Sequence, residues 1–194
     1  MLNKKRTSKD VEAILFHGGI GVMPTDTIYG LVGSALLPGT VGRIYRLLKR
    51  NLKKPMIVLV SSTSDLKKFG VKLKTSERAF LKKYWSGKVS VIFRVGGKKF
   101  KYLHRGGGTV AFRMPRPKRL QALLKAVGPL VAPSANFEGK SPAKTIREAK
   151  KYFGKKTDFY LDGGRMDDAP SALVKFEKGK PVILREGKVF DKKR

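Results

Sequence analysis

Four segments of the chain place hydroxyl, carboxylate, amide or cationic side chains directly beside apolar runs of strand character, where α/β folds bind ligands. The first is Pro24-Thr25-Asp26-Thr27-Ile28-Tyr29-Gly30-Leu31, which follows the apolar residues 20–23. It reads either as a ligand-facing loop anchored beneath by Tyr29 and Leu31, or as an Asx-type turn whose threonines satisfy local backbone groups. The second is Lys49-Arg50-Asn51-Leu52-Lys53-Lys54-Pro55-Met56, with four cations in six residues. Cations at a helix C-terminus complement its dipole. The same residues could clamp a triphosphate, Arg by bidentate pairing and Lys as a mobile point charge.

The third segment is Val131-Ala132-Pro133-Ser134-Ala135-Asn136-Phe137-Glu138-Gly139, with a hydroxyl and an amide two residues apart at a chain reversal. It suits phosphate or ribose oxygens, or is a plain turn ended by Gly139. A serine hydrolase is disfavoured, because Gly-x-Ser-x-Gly is absent and only His17 and His104 could act as base. The fourth comprises Asp162-Gly163-Gly164, Ser171-Ala172-Leu173-Val174 and Ile183-Leu184-Arg185-Glu186-Gly187. Arg185 and Arg113 each end an apolar strand, where a lone cation needs a carboxylate or a bound anion. Gly106-Gly107-Gly108-Thr109 is not a Walker A loop, since Gly-Lys-Ser/Thr with the preceding spacing is absent.

These segments sit in a chain of 194 residues with 44 Lys and Arg against 14 Asp and Glu, a formal net charge of +30. Hydrophobic residues make up 41%, enough for a core, which excludes a wholly disordered basic chain. The absence of cysteine excludes a disulfide framework, a thiolate zinc site and a cysteine nucleophile. No apolar run is long enough to span a bilayer, so a cytoplasmic protein without membrane attachment is expected. The charge attracts any polyanion and does not by itself choose between nucleic acid and a small anionic substrate.

Helical and strand patterns alternate along the chain, and neither repeats nor a linker interrupt them. Ser8 or Asp10 would cap a first helix, and Thr40 a second with Val41, Ile44, Tyr45, Leu47 and Leu48 inward. Residues 20–23, 55–60, 89–95, 109–113, 130–132, 159–161, 172–176 and 182–184 read as strands. Residues 64–69, 76–85, 120–127 and 146–153 read as helical. The last strands lie too close together for helical crossovers, so the expected fold is a single α/β domain over 1–194 with a mixed sheet.

Taken in order, the segments resemble the YrdC-domain family in its single-domain threonylcarbamoyl-AMP synthase form. The similarity covers about Asp10 to Lys188. It is carried chiefly by Pro24-Thr25-Asp26-Thr27-Ile28-Tyr29-Gly30-Leu31 and Ala132-Pro133-Ser134-Ala135-Asn136, with Val110-Ala111-Phe112-Arg113-Met114-Pro115 and Pro181-Val182-Ile183-Leu184-Arg185-Glu186-Gly187 in support. The resemblance implies a YrdC-like twisted mixed β-sheet with helices and a large basic concave cleft. It implies conversion of L-threonine, bicarbonate and ATP, with Mg²⁺ on the phosphates and no metal held by protein side chains, to threonylcarbamoyl-AMP and pyrophosphate. A partner transferase would then modify adenosine 37 of tRNA, and weak binding of tRNA or double-stranded RNA is a secondary expectation.

Position by position, the resemblance assigns threonine to Thr27, Arg113, Ser171 and the backbone at Ala132. It assigns ATP to Arg50, Lys54, Thr109, Ser134 and Arg185, with Asn136 supporting the Ser134 loop and Arg50 and Lys54 serving catalysis. The chain departs from the pattern in places. Leu48 stands where the family's Lys-x-Arg has its lysine, with Lys49 one residue late. Ser86-Gly87-Lys88-Val89-Ser90 replaces Pro-Gly-Pro-x-Thr, Leu59 stands where some relatives have a histidine, and Pro142 beside Ser141 falls where relatives often have a serine. The competing readings are a YrdC-like protein that binds tRNA or rRNA without adenylation, and a paralogue making a different acyl-adenylate.

Overall fold

The fold is that of a computed structural model, which describes residues 7–187 and Val189. Nine strands form one mixed sheet in the order β7-β1-β2-β6-β3-β5-β4-β8-β9. They are β1 (Ile20–Pro24), β2 (Tyr29–Ser34), β3 (Val58–Leu59), β4 (Val89–Arg94), β5 (Thr109–Arg113), β6 (Leu130–Val131), β7 (Phe159–Tyr160), β8 (Ala172–Glu177) and β9 (Lys180–Arg185). The pairs β1/β7, β3/β5 and β4/β8 are parallel and the rest antiparallel, which bears out the mixed sheet. Among the described residues six α-helices accompany it: α1 (Ser8–Phe16), α2 (Pro38–Leu48), α3 (Thr75–Tyr84), α4 (Lys101–His104), α5 (Lys118–Val127) and α6 (Ile146–Phe153).

Side chains alternate across a strand, and here the alternation feeds two cores. Val22, Leu31, Val58, Val131 and Phe112 enter the larger cluster, with residues of α2, α3, α4 and α6. Their neighbours Met23, Val32, Leu59 and Leu130 enter a smaller one with Val11 and Leu15 of α1 and Leu120, Leu123 and Leu124 of α5. No residue of β5, β4, β8 or β9 belongs to that smaller cluster. On this second face the two helices cover only half of the sheet. The other half is where the site lies.

Several local expectations shift. Thr7, rather than Ser8 or Asp10, caps α1, closing a capping box with Asp10. Helix α2 begins at Pro38, whose fixed φ suits a first turn. Thr40 lies inside the helix and donates its hydroxyl to the Gly18 carbonyl at 2.8 Å. Residues 63–69 are a 3₁₀ helix, and the strand expected over 55–60 shortens to Val58–Leu59. Strand β2 went unforeseen because glycines interrupt its apolar pattern. Gly33 is needed there, since a Cβ would stand 2.5 Å from Thr40 Cγ2 and push α2 off the sheet.

Candidate active site

A cavity of about 290 Å³ opens on the uncovered half of the second face. Ser90 of β4, Ala111 and Arg113 of β5 and Leu173 of β8 form its floor, on the opposite side from Val110, Phe112 and Val174 of the larger core. The β1–β2 turn supplies Thr25 and Thr27, and the strand after the turn Gly30. The loop after α2 supplies Arg50, and the chain after β6 supplies Ala132 and Ser134. Ser171 and Arg185 close it from the C-terminal hairpin. Seven of the residues assigned from sequence therefore meet in one place: Thr27, Arg50, Arg113, Ala132, Ser134, Ser171 and Arg185.

Backbone pairing brings the first and third segments together. Leu31 N–H donates to the Pro133 carbonyl at 3.0 Å, and Ala135 N–H to the Tyr29 carbonyl at 2.9 Å. Residues a hundred positions apart thus share one edge of the cavity. Both readings of the β1–β2 turn hold, on different residues. Thr25 Oγ1 donates to the Ile28 carbonyl at 2.7 Å and accepts from Thr27 N–H at 3.2 Å, so Thr25 shapes the turn. The Thr27 hydroxyl accepts from Arg113 Nη1 at 3.4 Å and faces the cavity.

Arg113 is buried and its charge is met by Asp26, Nη2 to Oδ1 2.9 Å. Burial pushes the Asp26 carboxyl above the ordinary carboxylate range, with the Arg113 charge pulling the other way. Burial also works against the Arg113 charge, which Asp26 supports and Arg185 opposes. Arg113 Nε is buried without a hydrogen-bond partner. Arg185 donates through Nε and Nη2 to the Ser171 carbonyl at 3.1 and 2.8 Å, and burial lowers its guanidinium pKa. The Arg185 charge works against that of Arg113, which Asp26 already offsets, and a bound anion would relieve this repulsion further.

The loop after α2 is held by contacts that sequence reasoning did not assign. Helix α2 stops at Leu48 because Lys49 adopts a left-handed conformation, φ 52°. Leu48 is buried in the core and Lys49 Nζ lies 5.5 Å from the Phe137 ring centroid. Arg50 Nε and the Tyr45 hydroxyl both donate to the Lys54 carbonyl, at 3.2 and 2.9 Å. Arg105 donates to the Leu52 carbonyl at 2.8 Å, with its guanidinium 4.3 Å from the Tyr45 ring centroid. Lys54 itself pairs with Glu138 at 2.6 Å and does not line the cavity.

Two other assigned residues also lie off the lining. Thr109 starts β5 opposite Arg94 of β4, farther along the same strand face. Asn136 donates to the carbonyls of Phe137 and Lys140 at 2.8 and 2.7 Å, holding the loop that carries Ser134. Ser90 was not singled out, although it stands in the segment that departs from the family pattern. Its hydroxyl bonds that of Ser171 at 2.7 Å in a fully buried pair. Tyr29 braces the C-terminal side by donating to the Gly164 carbonyl at 2.7 Å and accepting from Gly163 N–H at 2.9 Å. Among the described residues no group of three or more His, Asp or Glu is placed to hold a metal. No helix among them is long and apolar enough to cross a membrane.

The model of the Sua5/YciO/YrdC family, described as "Telomere recombination", matches residues 13–187. The chain belongs to this family. A relative named threonylcarbamoyl-AMP synthase in Thiobacillus denitrificans is 30% identical over 178 residues, covering 90% of this chain and 93% of the relative. The structure of P. abyssi Sua5 complexed with L-threonine superposes with a TM-score of 0.86 at 25% identity. That match covers 95% of this chain and 56% of the other, so this chain spans little more than half of that protein. E. coli YciO gives a TM-score of 0.81 at 24% identity over 93% of this chain and 89% of its own, a likeness of fold.

Proposed function

We propose that this member of the Sua5/YciO/YrdC family is an L-threonylcarbamoyl-adenylate synthase, acting through one YrdC-like unit that spans the chain. The carrying observation is the meeting of Thr27, Arg113, Ser171 and Ala132 with Arg50, Ser134 and Arg185 around one cavity. The names of the relatives and the threonine complex of the P. abyssi protein support the same reading.

In this reading the amino acid lies on the sheet floor. Arg113 takes the threonine carboxylate, relieved of its unpaired Nε, while Thr27 and the Ser90–Ser171 pair offer hydroxyls to the amine and side chain. The threonine nitrogen forms a bond to the carbon of bicarbonate, and water leaves. An oxygen of the carbamate then attacks the α-phosphorus of ATP, and the bond to the β-phosphate oxygen breaks to release pyrophosphate. Carbamate, carboxylate and phosphates are all anionic, so their approach requires the guanidinium groups of Arg50, Arg113 and Arg185 around them. Ser134, with its loop held by Asn136, would hold a phosphate oxygen.

Thr109 lies along the same strand face toward the nucleotide's outer part. Lys54 would reach the phosphates by leaving Glu138. The cavity lining contains no Asp, Glu or His. The donor set therefore fits Mg²⁺ carried in on the ATP phosphates, where it would neutralise charge on the leaving group. Positioning and charge stabilisation account for the rate, with no side-chain nucleophile. The product would pass to a transferase that modifies tRNA in the cytoplasm. The test is pyrophosphate release from ATP with purified protein. Release that requires both threonine and bicarbonate supports the reading, and RNA binding without such release overturns it.

A further inference from the structure

Between β7 and β8, residues 161–171 form neither helix nor strand. The two strands stand seven places apart in the sheet, up to about 34 Å at the usual strand spacing, and the connection reaches roughly 40 Å when fully extended. It therefore crosses with little slack, along the rim of the cavity. Three places hold it there. Gly163 packs on the end of β1, where a Cβ would stand 2.7 Å from Pro24 Cγ, and Gly163 and Gly164 bond the Tyr29 hydroxyl. Met166 N–H donates to the Lys144 carbonyl at 2.8 Å, and Lys144 Nζ pairs with Asp167 Oδ1 at 2.9 Å. Lys88 Nζ pairs with Asp168.

Lys88 holds the end of this connection twice. Its carbonyl accepts from Ala172 N–H at 2.9 Å, and its ammonium pairs with Asp168, four residues earlier. Residues 168–172 thus form an arch whose two ends rest on one residue. The arch carries Pro170 and Ser171, both on the cavity lining. Ser90, two residues beyond Lys88, bonds the Ser171 hydroxyl at 2.7 Å, and the Ser171 carbonyl takes both hydrogen bonds from Arg185. Lys88 and Ser90 both fall in the segment where this chain departs from Pro-Gly-Pro-x-Thr. A proline in place of Lys88 could accept the same backbone bond but has no charge to pair. The Lys88 charge also reaches the buried ion pair: burial raises the Asp26 carboxyl, and the charges of Arg113 and Lys88 draw it down. The Lys88 and Asp168 side chains are 38% and 24% exposed, so their pairing matters for geometry more than for net stability.

We propose that Lys88 and Asp168 are positioning residues, which clamp the 168–172 arch and so fix Ser171 at the amino-acid end of the cavity. That the positioned substrate is threonine rests on the adenylation reading; the clamp itself does not.

Steady-state kinetics and amide hydrogen exchange test this in Lys88→Met, Lys88→Arg, Asp168→Asn and the double variant of Lys88→Met with Asp168→Asn. Lys88→Met and Asp168→Asn are each expected to raise the threonine KM about threefold to fivefold, the upper range for a partly exposed ion pair, with kcat and the ATP KM within about twofold of wild type. Lys88→Arg is expected to keep the wild-type KM. The double variant is expected to be no worse than either single one, because the pair is broken only once. The peptide covering residues 163–171 is expected to exchange faster in both single variants and at the wild-type rate with arginine. Asp168→Asn keeps the Lys88 charge, so a rise confined to Lys88→Met would be that charge acting on Asp26 and would overturn the proposal. An equal rise in both substrates' KM, or additive losses in the double variant, would overturn it as well. Unchanged exchange in the single variants contradicts the clamp whatever the kinetics. Wild type without threonine-dependent pyrophosphate release would instead overturn the adenylation reading, and exchange alone would then decide the clamp.

Discussion

Asp26 and Arg113 form an ion pair behind the cavity wall, Oδ1 to Nη2 2.9 Å, with side chains only 3% and 5% exposed. Such a pair gains little net stability over an apolar replacement, yet breaking it leaves a buried charge uncompensated. Asp26 holds the guanidinium in place, and Arg113 Nε is buried without a hydrogen-bond partner. In the proposed reaction this guanidinium would meet the threonine carboxylate.

Arg113→Leu, which leaves the buried Asp26 carboxylate without its cation, is expected to lower stability by about 3–5 kcal/mol, the range for removing one partner of a buried pair. Urea unfolding checks this. Arg113→Lys keeps the charge without the fork, so it is expected to fold and to raise the threonine KM by about tenfold while leaving the ATP KM nearly unchanged. An equal rise in both constants would remove Arg113 from the amino-acid end of the cavity.

Arg50→Ala and Arg185→Ala are expected to show the reverse split, with the ATP KM raised and threonine little affected. A charge-assisted hydrogen bond contributes roughly 1.5–3 kcal/mol, or about tenfold to a hundredfold in binding. Steady-state kinetics with each substrate varied in turn decides it.

Ser90→Ala and Ser171→Ala each leave a buried hydroxyl without its 2.7 Å partner. Each single change is expected to weaken threonine use several-fold. The double variant is expected to cost less than the two together, because the bond is lost only once. Additive effects would show that the two hydroxyls act apart.

Asp65 supplies the pH prediction. Burial pushes its carboxyl up, but hydrogen bonds from Lys68 and Ser61 outweigh this and hold it below the ordinary value of 3.8. A depressed carboxylate stabilises the fold above its unfolded pKa, and the contribution is lost as pH falls through the folded value. Asp65→Asn is therefore expected to cost about 1–2 kcal/mol at neutral pH, as for loss of a helix cap. The difference should shrink toward zero below pH 3.8, as unfolding curves across acid pH would show. Asp26 has the opposite sign. Its raised pKa means that the proton-linked stability is lost as pH rises through the folded value.

Part of the candidate site was legible through the family resemblance, which assigns Thr27, Arg113, Ser134 and Arg185, and the structure brings these four to one cavity. What escaped depended on the third dimension. Strand β2 was hidden because Gly30 and Gly33 break its apolar run, and only Thr40 packed against Gly33 reveals why. Lys49 could not be placed by helical angles because the helix ends in a left-handed residue at that position. Lys54 looked like a phosphate ligand, but Glu138, some eighty residues on, holds it outside the cavity lining. Ser90 carried little signal alone, and its partner Ser171 immediately precedes β8, a strand that joins the sheet late in the chain.

In the proposed reaction one cavity joins threonine, bicarbonate and ATP into a single adenylate. The most direct measurement supplies radiolabelled bicarbonate and ATP labelled at the α-phosphate, and follows both labels into one product. Both labels in one adenylate, formed only when threonine is present, with one pyrophosphate released for each, is the predicted result. Adenylate that lacks the bicarbonate carbon, or that forms without threonine, would contradict the account.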